Sequence, residues 1–198
     1  ISSSTGNIVL TGISSGNRGI NQTGLTTATS GNITLTGATT NQYGVYVSAA
    51  LTANNILVEG TASTTVSGYI VQLDAMTINS GSTGGDITVT ATGATAGGGN
   101  GIYQADTITG ANGSDITFTS NNKINQTGAI TLAANTSGST ATLTYDTSSG
   151  TKLSTIMAGA LTLRTGSTSD INYVMISAGS AINPGAIGTS SVRLPGTV

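Results

Sequence analysis

The chain contains no cysteine, no histidine and no tryptophan, and each absence removes a class of chemistry. Without Cys there is no disulfide scaffold, although a secreted bacterial protein and a cytosolic one both fit that absence. Without Cys or His there is no acyl-transfer triad of the usual kind and no thiolate or imidazole metal site. Charge is scarce too: five Lys and Arg stand against seven Asp and Glu in 198 residues. The basic residues are scattered, so nothing gathers positive charge against phosphates, and nucleic acid is not an expected partner. No apolar run approaches the roughly 20 residues needed to span a bilayer. The chain opens at Ile1 with neither Met nor signal peptide, as expected of a processed product or a fragment whose targeting segment is out of view.

What is present is a polar, uncharged background of Ser, Thr, Asn and 29 Gly, crossed by short apolar alternations. Asn32-Ile33-Thr34-Leu35-Thr36-Gly37, Gly44-Val45-Tyr46-Val47 and Leu51-Thr52-Ala53 each place apolar side chains at every second position. That is the period of a strand with one buried face. The unit then restarts at Asn55. Its starts fall at Asn7, Asn32, Asn55, Asp86, Asp115, Thr142 and Asp170, at spacings of 25, 23, 31, 29, 27 and 28 residues. A second column reads Gly19-Ile20, Gly44-Val45, Gly68-Tyr69-Ile70 and Gly101-Ile102. A third reads Leu25, Leu51, Met76, Ile108, Ile130 and Leu161, with Ile187 closing it. Ile20-Asn21-Gln22-Thr23-Gly24 returns unchanged as Ile124–Gly128.

A three-strand unit of this size cannot bury its own apolar face, but stacked copies build a continuous core. The expected fold is therefore all-β: a right-handed parallel β-helix of about seven three-strand rungs, roughly 30–35 Å long at the strand spacing. Residues 1–198 read as one solenoid segment, expected to belong to a larger repeat protein. The inward columns are expected to be Ile8, Ile33, Ile56, Ile87, Ile116, Leu143, Ile171 and Leu10, Leu35, Val58, Val89, Phe118, Tyr145, Tyr173. An outward Thr column is expected at Thr34, Thr88, Thr117, Thr131, Thr144 and Thr162. Thr61–Ser67 and Ala94–Asn100 read as the longest inserts, and such inserts often carry the binding face.

Candidate chemistry rests on few residues. Asp86 and Asp115 take equivalent positions in adjacent rungs, about 5 Å apart, where a carboxylate pair can serve a glycosidase or hold calcium. The structural alternative is that Asn7, Asn32, Asn55, Asp86 and Asp115 form one ladder of turn residues bonding local amides. Gly97-Gly98-Gly99-Asn100-Gly101 resembles half a calcium nonapeptide, but its spacing fails. Sequons at Asn21, Asn32, Asn112, Asn125 and Asn135 are expected by chance in so polar a chain. Tyr43, Tyr46, Tyr69 and Tyr103 gather near the second column, as candidates for stacking on sugars or a partner protein or for filling a core corner.

The Gly-Asn-Ile-Thr-Leu-Thr-Gly run at 31–37, Gly128-Ala129-Ile130-Thr131-Leu132, Leu143-Thr144-Tyr145-Asp146 and Ala181-Ile182-Asn183-Pro184-Gly185 resemble the shaft repeats of filamentous-haemagglutinin-like bacterial adhesins, which are exported by the two-partner route. The resemblance implies a β-helical shaft at the cell surface or outside the cell, with adhesion or biofilm roles. The secretion domain's Asn-Pro-Asn motif is approached only at Ile182-Asn183-Pro184-Gly185, so the segment resembles shaft and not secretion signal. No catalytic residue and no cofactor or metal follows from it. The expected function is structural or adhesive, with end-to-end or lateral self-association and with glycans or surface partners. Two other readings stand beside it. An ice-binding solenoid would use Thr34/Thr36, Thr88/Thr90 and Thr117/Thr119, and a polysaccharide-binding or polysaccharide-cleaving β-helix would use Asp86, Asp115 and the face that carries the tyrosines.

Overall fold

The structure, a computed structural model, describes residues 1–78, 85–95, 100–134, 140–146, 155–157, 161–165, 171–177 and 182–184. The chain coils through three strands per turn and then repeats. The first turn holds β1 (Ser2–Ser3), β2 (Ile8–Ser14) and β3 (Arg18–Gln22). The second holds β4 (Thr26–Ala28), β5 (Ile33–Thr39) and β6 (Tyr43–Val47). Then come β7 (Leu51–Ala53), β8 (Ile56–Val66) and β9 (Val71–Leu73), followed by β10 (Met76–Ile78), β11 (Ile87–Thr95) and β12 (Asn100–Gln104). The fifth turn is β13 (Ile108–Asn112), β14 (Ile116–Ser120) and β15 (Lys123–Gln126). Beyond it lie β16 (Ile130–Ala134), β17 (Thr140–Asp146), β18 (Thr155–Met157), β19 (Leu161–Thr165), β20 (Ile171–Ser177) and β21 (Ile182–Pro184).

Every third strand pairs in parallel with the next of its kind, giving three sheets of seven strands each. Sheet A starts at β1, sheet B at β2 and sheet C at β3. The molecule is thus a parallel β-solenoid of three-strand rungs, with about five turns closely described and no helix among the described residues. Alternation sets which side chains enter. In β5 the burial runs strictly in step with the pleat, and Ile33 and Leu35 are fully buried. Sheet B stacks Ile8, Ile33, Ile56, Ile87, Ile116 and Leu143 in one file. Leu10, Leu35, Val58, Val89, Phe118 and Tyr145 form the next. These columns agree with the sequence expectation as far as Tyr145.

Past that point the register departs from it. Leu143 pairs with Val174 and Tyr145 with Ile176, so Ile171 and Tyr173 sit opposite Thr140 and Thr142. The run Ile171-Asn172-Tyr173-Val174-Met175-Ile176 is apolar on both parities, so alternation alone does not choose its register. The third rung of sheet C also differs, because Val71 and not Tyr69 or Ile70 pairs with Val45 and Ile102. In sheet A, Thr26 takes the place expected for Leu25; Thr26 is fully buried and Leu25 is exposed. A threonine is tolerated there because its hydroxyl accepts from the Gln22 amide at 3.2 Å and donates to the Gly24 carbonyl at 3.3 Å. Thr61–Ser67 is largely strand rather than insert, since β8 continues to the buried Val66. Of Ala94–Asn100, residues 96–99 lie outside the described residues, as do Ile187 and Asp170.

The repeated Ile-Asn-Gln-Thr-Gly motif has a direct physical role. Its Gln enters the core, and its amide donates to the carbonyl two residues on: Gln22 to Gly24, and Gln126 to Gly128. Gln104 does the same to Asp106. A buried polar side chain thereby satisfies a carbonyl that the turn into sheet A leaves unpaired by a strand.

Candidate functional site: the outer face of sheet C

The core residues of sheet C fix what projects from it. With Ile20, Val45, Val71, Ile102 and Ile124 buried in successive strands, the next position of each strand faces outward. That outward file reads Asn21, Tyr46, Gln72, Tyr103 and Asn125, in register across five strands. Amide and phenol alternate along it. A second file lies toward the strand starts, where Arg18 pairs with Tyr43 and Asn100 with Lys123. Tyr69 enters from the turn before β9.

The four tyrosines singled out in the sequence come together here, and all are partly buried with some ring surface left open. Tyr43 meets Tyr46 edge-on at 5.2 Å and lies 6.4 Å from Tyr69, which stacks on Tyr103 at 4.7 Å. They do not fill a core corner. Arg18 sits over the Tyr46 ring at 3.8 Å and near the Tyr43 ring at 5.4 Å, a cation–π arrangement. Its guanidinium also donates to Asn21 Oδ1 at 2.7 Å. Partial burial pushes the Tyr43 phenol above its usual range; Arg18 opposes that shift, and Tyr46 and Tyr69 add to it. Thr127 Oγ1 donates to the Tyr103 hydroxyl at 3.4 Å.

Sequence reasoning missed Arg18, Asn21, Gln72, Lys123 and Asn125. Asn21 and Asn125 were legible as the residues following Ile20 and Ile124. Gln72 was hidden by the misplaced third rung.

Asp86 and Asp115 lie elsewhere, at the entry to sheet B, and there they continue an amide ladder. Asn7 Oδ1 accepts from the Asn32 amide at 2.9 Å, and Asn32 Oδ1 accepts from the Asn55 side chain at 2.8 Å. Asn55 Oδ1 takes the Asp86 amide at 2.9 Å, Asp86 Oδ1 the Asp115 amide at 3.1 Å, and Asp115 Oδ1 the Thr142 amide at 2.8 Å. The amides belong to the next rung and are not local, which corrects the expected turn geometry. A carboxylate here does what Asn does in other rungs, so the ladder accounts for both aspartates without a ligand.

The close carboxylates are instead Asp74 and Asp106, at the corner between sheets C and A. Desolvation raises the Asp74 pKa, the Ala75 amide at 3.1 Å lowers it, and the hydrogen bond and charge of Asp106 raise it further. A carboxylate whose folded pKa lies above its unfolded value binds protons more tightly when folded, so its contribution to stability falls as pH rises through that interval. Asp74→Asn is therefore expected to raise Tm at pH 7, while keeping an acceptor for the Ala75 amide. The gain should shrink on acidification and vanish below the ordinary Asp range near about pH 4. Paired thermal melts across that range test it, and a gain independent of pH would contradict it.

The expected outward Thr column spans two sheets. Thr34, Thr88, Thr117 and Thr144 belong to sheet B, where Val9 and Leu57 share their file and Glu59 and Asp146 share that of Thr36, Thr90 and Thr119. The double Thr column that ice binding would need is therefore interrupted. Thr131 and Thr162 belong to sheet A, in one file with Thr27, Thr52, Thr77 and Thr109. No group of three or more metal-ligating acidic, His or Cys side chains occurs among the described residues. Gly97, Gly98, Gly99 and Asn135 lie outside the described residues. No described helix is long and apolar enough to cross a membrane. Comparison with protein-family models, with curated proteins and with solved structures gives no match.

Proposed function

We propose that the chain is a structural and adhesive shaft segment, extracellular or displayed on a bacterial surface, of the kind built by filamentous-haemagglutinin-like adhesins. The coil is taken as right-handed, following the strong preference of parallel crossover connections. In this reading sheets A and B stiffen the rod, sheet C is its contact face, and the ends associate. The carrying observation is where apolar surface is left uncovered. Among the residues whose burial is described, which end at Asp146, the exposed large hydrophobics are Ile1, Val9 and Ile13 in the first turn and Leu25 in the link that follows it. There β1, β2 and β3 also stand at the margins of their sheets, offering backbone donors and acceptors to another strand. Apolar surface and open edges on a rung favour docking of another rung, whether from a second copy or from the same longer repeat chain.

The test is sedimentation velocity over a concentration series, with electron microscopy of the same samples. The wild-type chain is expected to form rods several units long. A Val9→Lys/Ile13→Lys variant, changed where Ile13 is 85% exposed, is expected to remain folded and largely monomeric. A wild-type chain that stays monomeric at high concentration would remove self-association from the reading, leaving a shaft that only spaces.

A further inference from the structure

Of the three basic residues in described strands, Arg18 and Lys123 lie on sheet C and Arg164 lies on sheet A. No strand of sheet C contains an Asp or Glu. The described carboxylates lie on sheet B (Glu59 and Asp146), at its entry (Asp86 and Asp115), or past the far ends of β9 and β12 (Asp74 and Asp106). The face is therefore polarised across its width: cations sit at the strand starts, the amide–phenol file runs in the middle, and carboxylates follow the strand ends.

We propose that this face is a track for a carboxylated polysaccharide lying along the rod axis. The inference deepens the adhesive reading above and rests on it for the setting in which such a polymer would be met. The file is one residue wide and repeats along the axis at the strand spacing, so it suits an extended chain better than a compact ligand. Like residues recur every second rung, about 10 Å apart, the scale of a disaccharide in an extended glycan. Phenol rings offer apolar surface to the C–H faces of sugars and a hydroxyl at the rim. Asn21, Gln72 and Asn125 each supply both a donor and an acceptor, as sugar hydroxyls require.

Arg18 is held in place by Tyr46 and Asn21, so little side-chain freedom is lost when it takes a carboxylate. Lys123 stands four strands further along sheet C, about 19 Å away, and engages a second carboxylate of the same chain. Asp74 and Asp106 repel the polymer's carboxylates from the opposite margin and so set which edge of the glycan faces which way. Two cations at that separation are too few to hold nucleic acid by its phosphates.

The experiment measures binding of the full chain to polygalacturonate by affinity electrophoresis and calorimetry. Fully methyl-esterified polygalacturonate tests the carboxylate on the same backbone, and dextran sulfate tests charge alone. Polygalacturonate is expected to bind, with the ester about tenfold weaker. Lys123→Gln and Tyr46→Ala/Tyr103→Ala are each expected to weaken binding about tenfold. Lys123→Gln disturbs none of the ring contacts, so it serves as the test if the double tyrosine variant unfolds.

Equal binding of the ester, no binding of polygalacturonate, or binding of dextran sulfate that equals it and ignores the tyrosines would overturn the proposal. Sedimentation of the same samples separates the two readings. Assembly without glycan binding sinks only the track, and glycan binding without assembly sinks only the self-associating shaft.

Discussion

Gly37→Val is expected to destabilise the solenoid by more than about 3 kcal/mol, enough to unfold much of it. Gly37 lies at the corner where sheet B turns into sheet C, in one file with Gly12 and Gly60. A Cβ at this position would fall 2.0 Å from the Gly44 carbonyl oxygen and 2.7 Å from its carbon. Both are backbone atoms of a strand held on each side by neighbouring rungs, so the clash is not relieved by turning a side chain. The Cγ2 of Val45, at 2.8 Å, closes the remaining space. Moving the strand away would misalign β6 from both β3 and β9.

The same file carries Ala91 and Ser120 in β11 and β14, so the corner is not equally tight in every rung. A suitable control is Gly24→Ala, where an added Cβ meets nothing within 4 Å. That change is expected to stay within about 0.5 kcal/mol of wild type. Denaturant unfolding of the two variants decides the matter. A tolerated Gly37→Val would mean that the corner is looser than its backbone contacts indicate.

How much of this was legible follows from where the chain is unambiguous. Sheet B was read correctly from Ile8 to Tyr145, because its strands keep apolar residues on one parity and mostly polar or small ones on the other, with Val9, Ile13 and Leu57 as the exceptions. The reading failed where that contrast is lost. At Ile171–Ile176 both parities are apolar. At Gly68-Tyr69-Ile70 the glycine mimicked the spacing of Gly44-Val45, although Ile70 occupies the slot before the paired Val71. At Leu25 hydrophobicity pointed inward, but a buried amide–hydroxyl pair gave that place to Thr26.

The tyrosine cluster was anticipated as four names. Its partners were not, because an outward residue is defined only by the register of its inward neighbour. The assignment of Asp86 and Asp115 to one file was sound from their spacing. What the spacing could not give was that each carboxylate takes the amide of the following rung.

The second large effect is expected at Phe118. Its side chain is fully buried in the Val89–Phe118–Tyr145 file and stacks on Tyr145 with ring centroids 5.3 Å apart. Burial pushes the Tyr145 phenol well above its usual range. Its hydroxyl donates to Gln126 Oε1 at 2.9 Å, while the Gln126 amide holds the Gly128 carbonyl. Removing the ring at 118 therefore does more than open a cavity. It takes away the surface that positions Tyr145 over that polar pair, in a place where an unpaired donor or acceptor costs about 1–3 kcal/mol.

Phe118→Ala is expected to cost about 3–5 kcal/mol, and Phe118→Leu less than half of that, since most of the volume remains. In a solenoid each rung touches only its neighbours, so the loss should not spread evenly. Hydrogen exchange should show protection collapsing in β11, β14, β15 and β17 while β2, β5 and β8 stay near wild type. Uniform loss over all the strands would instead mean that the rod unfolds as one unit, coupling distant rungs more strongly than stacking between neighbours provides.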